Sequence, residues 1–127
     1  MRRWILIILA LALAAAGCGQ KPDEVVEEGS KTVDSWKKTL EMVCGQWVEY
    51  RVPTLYVKQM LKAAEEVLGK KLRDLEKLGR NEEAQRVMRK IHRLRYWIES
   101  HQKELGEADA AKRREILNAI PSDAEGP

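Results

Sequence analysis

At 127 residues the chain has room for one domain and not for two of ordinary size. Hydrophobic residues make up 44% and charged residues 34%, with no phenylalanine, a balance that suits long solvated helices better than a compact enzyme. The net charge of +3 includes Arg2 and Arg3 of the leader described below, so the remainder is near neutral and gives no case for nucleic-acid binding.

Met1-Arg2-Arg3 is a positively charged start, and residues 4–16 follow without a polar side chain. That is the pattern of a secretory signal peptide. A helix over residues 4–16 rises only about 20 Å, well short of the ~30 Å hydrocarbon core that a permanent span must cross. The apolar run ends in Ala15-Ala16-Gly17-Cys18. This string resembles the bacterial lipobox, with Ala15 where that family favours leucine. The resemblance implies that residues 1–17 are a cleaved lipoprotein signal peptide. It also implies that the Cys18 thiol carries diacylglycerol, anchoring the protein to a membrane of the cell envelope by its N-terminal lipid. Each buried methylene contributes ~0.8 kcal/mol and one chain holds only marginally; lipoproteins of this kind carry two or three. Gly19 stands where an aspartate retains many lipoproteins in the inner membrane. The expected location is therefore the periplasmic face of the outer membrane in a diderm cell, and otherwise the outer face of the cytoplasmic membrane.

Residues 18–31 read as a lipidated flexible tether. Gly19, Pro22, Gly29 and Ser30 are interspersed with Glu24, Glu27 and Glu28, which favours an extended, solvated segment. A helical domain is expected over residues 32–120. Val33, Trp36, Leu40, Val43, Trp47 and Tyr50 recur at spacings of three and four, an apolar seam on one helix face widened by Cys44 and Val48. Val52-Pro53 closes this first helix, because the residue before proline is pushed out of the α region. A second helix begins at Pro53 or Thr54 and runs to Leu78, with its seam on Val57, Leu61, Ala64, Leu68, Leu75 and Leu78. That seam drifts between Leu68 and Leu75, so Gly69 is expected to mark an irregularity.

Gly79 suits the left-handed residue that closes a helix, and Asn81 with Glu82 and Glu83 suits the start of the next. The string Leu78-Gly79-Arg80-Asn81-Glu82-Glu83-Ala84 resembles the turn between the paired helices of a tetratricopeptide repeat. No second copy occurs at the repeat's spacing, so the resemblance implies a helical hairpin rather than an array. Val87, Ile91, Leu94, Ile98, His101 and Leu105 form a third seam, which must run antiparallel to the second across so short a turn. Gly106 ends it. A short fourth helix over residues 109–120 stops at Pro121, leaving residues 121–127 as a disordered tail. The expected fold is all-α: an antiparallel helical hairpin or three-helix bundle with a short fourth helix.

The residues that could carry chemistry are few. His92 and His101 are on different faces, without the carboxylate or cysteine partners of a metal site. His101 is expected to be a partly buried structural residue. No nucleophile elbow, phosphate loop or dinucleotide fingerprint occurs, so neither an enzyme nor a cofactor is expected. Cys44 reads as a small buried apolar residue, the alternative being an intermolecular disulfide across a symmetric dimer.

Two surfaces remain. Trp47, Tyr50, Tyr56 and Trp97 could line an aromatic groove, against the ordinary outcome that they fill space between helices. Arg86, Arg89 and Arg93 form a stripe in residues 84–98, which contain no acidic residue. The stripe could be an anionic docking face, or it could be neutralised across the hairpin by Asp74 near Arg86 and Glu65 or Glu66 near Arg93 or Arg95. The function expected is a membrane-anchored, non-catalytic interaction or scaffold module whose partner is an envelope protein or anionic surface. The alternative is a carrier or chaperone-like module that holds a hydrophobic ligand or peptide in the aromatic groove. Metabolic labelling with a fatty acid should tag the wild-type chain and leave Cys18→Ser unlabelled; equal label in both would remove the lipid anchor.

Overall fold

A computed structural model describes residues 21–122, which are helical with no strand. The expected signal peptide of residues 1–17, Cys18 and residues 19–20 lie outside the described residues, as do residues 123–127 of the expected tail. The helices are α1 (Pro22–Val48), α2 (Thr54–Glu76), α3 (Glu82–His101) and α4 (Ala110–Asn118), with a 3-10 turn over Leu105–Glu107 before α4.

The first helix corrects the sequence reading. Residues 22–31 are not a tether but the first turns of α1. Pro22 occupies the opening turn, where its missing N–H costs no helical bond, and Asp23 and Glu24 sit at the positive end of the helix dipole. Val26 extends the seam below Val33, and both are buried. Gly29 is buried because the hairpin comes close: a Cβ there would meet Leu75 Cδ1 at 3.2 Å and Val87 Cγ1 at 3.4 Å. What looked like a flexible glycine is a point of close helix approach.

At its other end α1 stops at Val48, before the expected Val52-Pro53 boundary. Tyr50 takes φ 60°. The Tyr50 N–H donates to the Trp47 carbonyl at 3.0 Å and the Arg51 N–H to the Gln46 carbonyl at 2.8 Å. These two bonds define a Schellman cap, with tyrosine in the left-handed position where glycine is usual. The Trp47 indole N–H donates to Thr54 Oγ1 at 3.0 Å, fastening the end of α1 to the start of α2 across the corner.

α2 runs unbroken through Gly69, and buried Leu72 carries the seam from Leu68 to Leu75, so the expected irregularity is absent. Gly79 closes the hairpin with φ +65°, and Asn81 Oδ1 accepts from the Ala84 N–H at 3.1 Å, as the sequence predicts. Asp109 caps α4 by accepting from the Lys112 N–H at 2.8 Å.

Contacts between helices fix the topology. Glu28 meets Lys71 and Trp47 meets Thr54, so α1 and α2 are antiparallel. Gly29 lies against Val87 and, further along both helices, Asp34 pairs with Lys90 at 3.8 Å, so α1 and α3 run the same way. The three form an up-down-up bundle around one core that includes Leu40, Trp47, Leu61, Leu68, Leu75, Ile91, Leu94 and Ile98. α4 folds back across α1 and contributes buried Ile116.

The packing at Gly29 makes the corrected α1 testable. Gly29→Leu would force a side chain into space already held by Leu75 and Val87, and should destabilise the helical domain by about 1–3 kcal/mol. Urea titration measures this, and an unchanged midpoint would return residues 22–31 to a tether.

Candidate functional site

The seam of α3 turns Val87, Ile91, Leu94 and Ile98 inward, which places Arg86, Arg89 and Arg93 on the outward side. Arg86 and Arg89 are exposed. Arg93 is half-buried in a narrow cleft with Lys37, Lys90, Leu94 and Pro121. Tyr96, 74% exposed, prolongs the row by one more turn.

The hairpin brings Glu65 and Glu66 into one cleft with Arg95, but the ion pairs expected to neutralise the stripe are absent among the described residues. Among the described residues, neither Asp74 nor Glu65 nor Glu66 makes an ion pair with Arg86, Arg93 or Arg95. The carboxylates that α1 turns toward the hairpin are taken by lysines: Asp34 by Lys90 at 3.8 Å, and Glu28 by Lys71 at 3.4 Å. Arg95 departs from the row and lies over Gly69, sharing a shallow cleft with Lys62, Lys70, Arg73, Glu65 and Glu66. Its Nε is buried with no hydrogen-bond partner among the described residues.

The four aromatic residues do not line one groove. Trp47 has no exposed surface, and Trp97 is 3% exposed with its indole N–H donating to the Ile116 carbonyl at 3.0 Å. Buried tryptophans normally find such partners, and here both do so within the protein. Tyr50 and Tyr56 stay exposed. An open groove of about 710 Å³ does border Trp97, between Tyr96 and His101 on one side and residues 118–122 on the other. Trp47, Tyr50 and Tyr56 are not part of its lining.

What joins Trp47 to Tyr50 is Arg113, a residue no sequence pattern singled out. Its guanidinium lies 4.7 Å from the Trp47 ring centroid and 4.1 Å from that of Tyr50. It donates to the Trp47 carbonyl at 2.8 Å and, through Nε, to the Ala108 carbonyl at 3.2 Å. α1 has no basic residue in its own last turn, so Arg113 supplies the cation that the negative end of the helix dipole favours.

The remaining candidates are structural. Cys44 is a buried free thiol pushed up to about 12 by desolvation, and it presents no surface for a disulfide to a second chain. His101 is half-buried, tilted against the Trp97 ring at 5.8 Å between centroids. Its Nδ1 lies 3.3 Å from Glu104 Oε2, and that hydrogen bond holds the Glu104 carboxyl below its usual range. No group of His, Cys, Asp and Glu among the described residues could hold a metal ion, and no described helix is long and apolar enough to cross a membrane.

No family model, no curated protein and no solved structure matches the chain.

Arg113 is the side chain whose loss the structure should register most clearly at the corner. Arg113→Ala removes the stacking and both hydrogen bonds, with an expected destabilisation of about 2 kcal/mol in urea. Arg113→Lys keeps the charge near the end of α1 but not the planar fork, so it should recover less than half of that loss. Equal stability of all three chains would show the stacking to be incidental.

Proposed function

We propose that the protein is a membrane-anchored envelope lipoprotein whose helical domain is a non-catalytic interaction or scaffold module. The observation that carries this reading is the outward row of Arg86, Arg89 and Arg93, which has no carboxylate in ion-pair contact among the described residues. An uncompensated row on a packed helix attracts an anionic partner and leaves the core undisturbed. The leader and lipobox-like string of residues 1–18 support the membrane anchor. Burial of Trp47 and Trp97, with both indole N–H groups engaged internally, weighs against the carrier alternative as it was drawn from four aromatics.

Photo-cross-linking in intact cells tests the module. A cross-linker at position 89, on the outer face of α3, should form adducts with envelope components. One at position 59, exposed on α2, should form few. Adducts of equal yield at both positions, or at neither, would remove the outer face of α3 as the interaction surface.

A further inference from the structure

We infer that the outer face of α3 rests on anionic phospholipid headgroups of the same membrane that holds Cys18, so that the bundle lies along the bilayer rather than standing on it. The inference rests on the anchored-module reading above and names the partner of its docking face.

The first support is the shortness of the link. Because α1 begins at Pro22, only residues 19–21 separate it from Cys18. Four peptide steps reach at most about 14 Å. A lipid on Cys18 therefore keeps the start of α1 within about 14 Å of its attachment point, and the domain stays beside the surface.

The second is the distribution of charge along the bundle. α1 and α3 run the same way, so Pro22 and Glu82 mark the same end. There Asp23, Glu24, Asp74, Glu76, Glu82 and Glu83 outnumber Lys21, Arg73, Lys77 and Arg80, and an anionic surface repels such an end. Gly29 lies beside Val87, which puts Arg86 about 10 Å along the bundle from Pro22 and Arg93 about another 10 Å beyond. In an upright stance the row would leave the ~8–10 Å screening length almost at once. Laid flat, Arg86, Arg89 and Arg93 meet the surface together, followed by exposed Tyr96, whose ring and hydroxyl suit the boundary between water and lipid.

The third is covalent linkage itself. A lipid at one end makes contact by the arginine row intramolecular, so a face too weak to bind alone is held at high effective concentration. Three basic residues near an anionic surface would together strengthen attachment roughly a hundredfold.

The test uses the full chain isolated from membranes and reconstituted into vesicles. One set is phosphatidylcholine alone, the other equal parts phosphatidylcholine and phosphatidylglycerol. Arginines are modified with phenylglyoxal and read by mass spectrometry, with exposed Arg51 as the internal reference. Phosphatidylglycerol should slow modification of Arg86 and Arg89 severalfold relative to Arg51, and high salt should abolish the difference. Identical relative rates in the two vesicles would overturn the inference, as would slowing that survives high salt. An N-terminal peptide without acyl groups would instead overturn the anchored-module reading on which it stands.

Discussion

Much of this structure follows from the close approach of α1 to the α2–α3 hairpin at Gly29. Helices packed through ordinary side chains sit 8–10 Å apart. A position with no side chain lets Leu75 and Val87 reach the backbone of α1. The contact draws the first turns of α1 into the bundle, makes Val26 part of the core and sets the register between α1 and α3. In that register the carboxylates of Glu28 and Asp34 face Lys71 and Lys90. They therefore neutralise lysines at the helix boundaries, and Arg86 and Arg89 of α3 keep their charge outside.

The opposite end of α1 follows a different logic. A left-handed tyrosine costs roughly 1–2 kcal/mol, and a glycine at position 50 would avoid it. The tyrosine ring is one of the two aromatic surfaces that receive the Arg113 guanidinium. The same guanidinium occupies the Trp47 carbonyl, one of the acceptors that the end of a helix leaves without an internal partner. Strain in the backbone of the corner is thus offset by a cation held between two rings. A glycine would relax the backbone and lose one of those rings.

The sequence made the class of fold, the seams and the hairpin legible, because each rests on local information: a spacing of three and four, a glycine at a turn, an asparagine three residues before an orphan N–H. Leu40, Val43, Trp47, Val57, Leu61, Ile91, Leu94 and Ile98 are all buried where periodicity placed them. The start of α1 was misread because Pro22, Gly29 and the glutamates have the composition of a linker. Their helical roles, an opening turn, a close approach and a dipole-matched end, depend on a hairpin far along the chain. Arg113 was invisible for the same reason, since its partner lies 66 positions away. The aromatic groove failed because sequence shows which residues are aromatic but not where their N–H groups find acceptors. The arginine stripe was legible as a row, and the absence of ion pairs to it among the described residues emerged only once the helix register was fixed.

The separation between Arg113 and Trp47 has a consequence for the order in which the molecule assembles. Seams on α1, α2 and α3 meet over short loops, and contacts of that kind form early and fast. A chain made from its N-terminus has all three before α4 exists. Until residue 113 arrives, the corner at Tyr50 bears its strain without the guanidinium, and the Trp97 N–H lacks the Ile116 carbonyl. Docking of α4 supplies both the cation at the corner and the acceptor for that indole. The same element, nine residues long and packed chiefly on α1, places one fully buried side chain, Ile116, in the core, so its opening would expose less of the core than that of any longer helix.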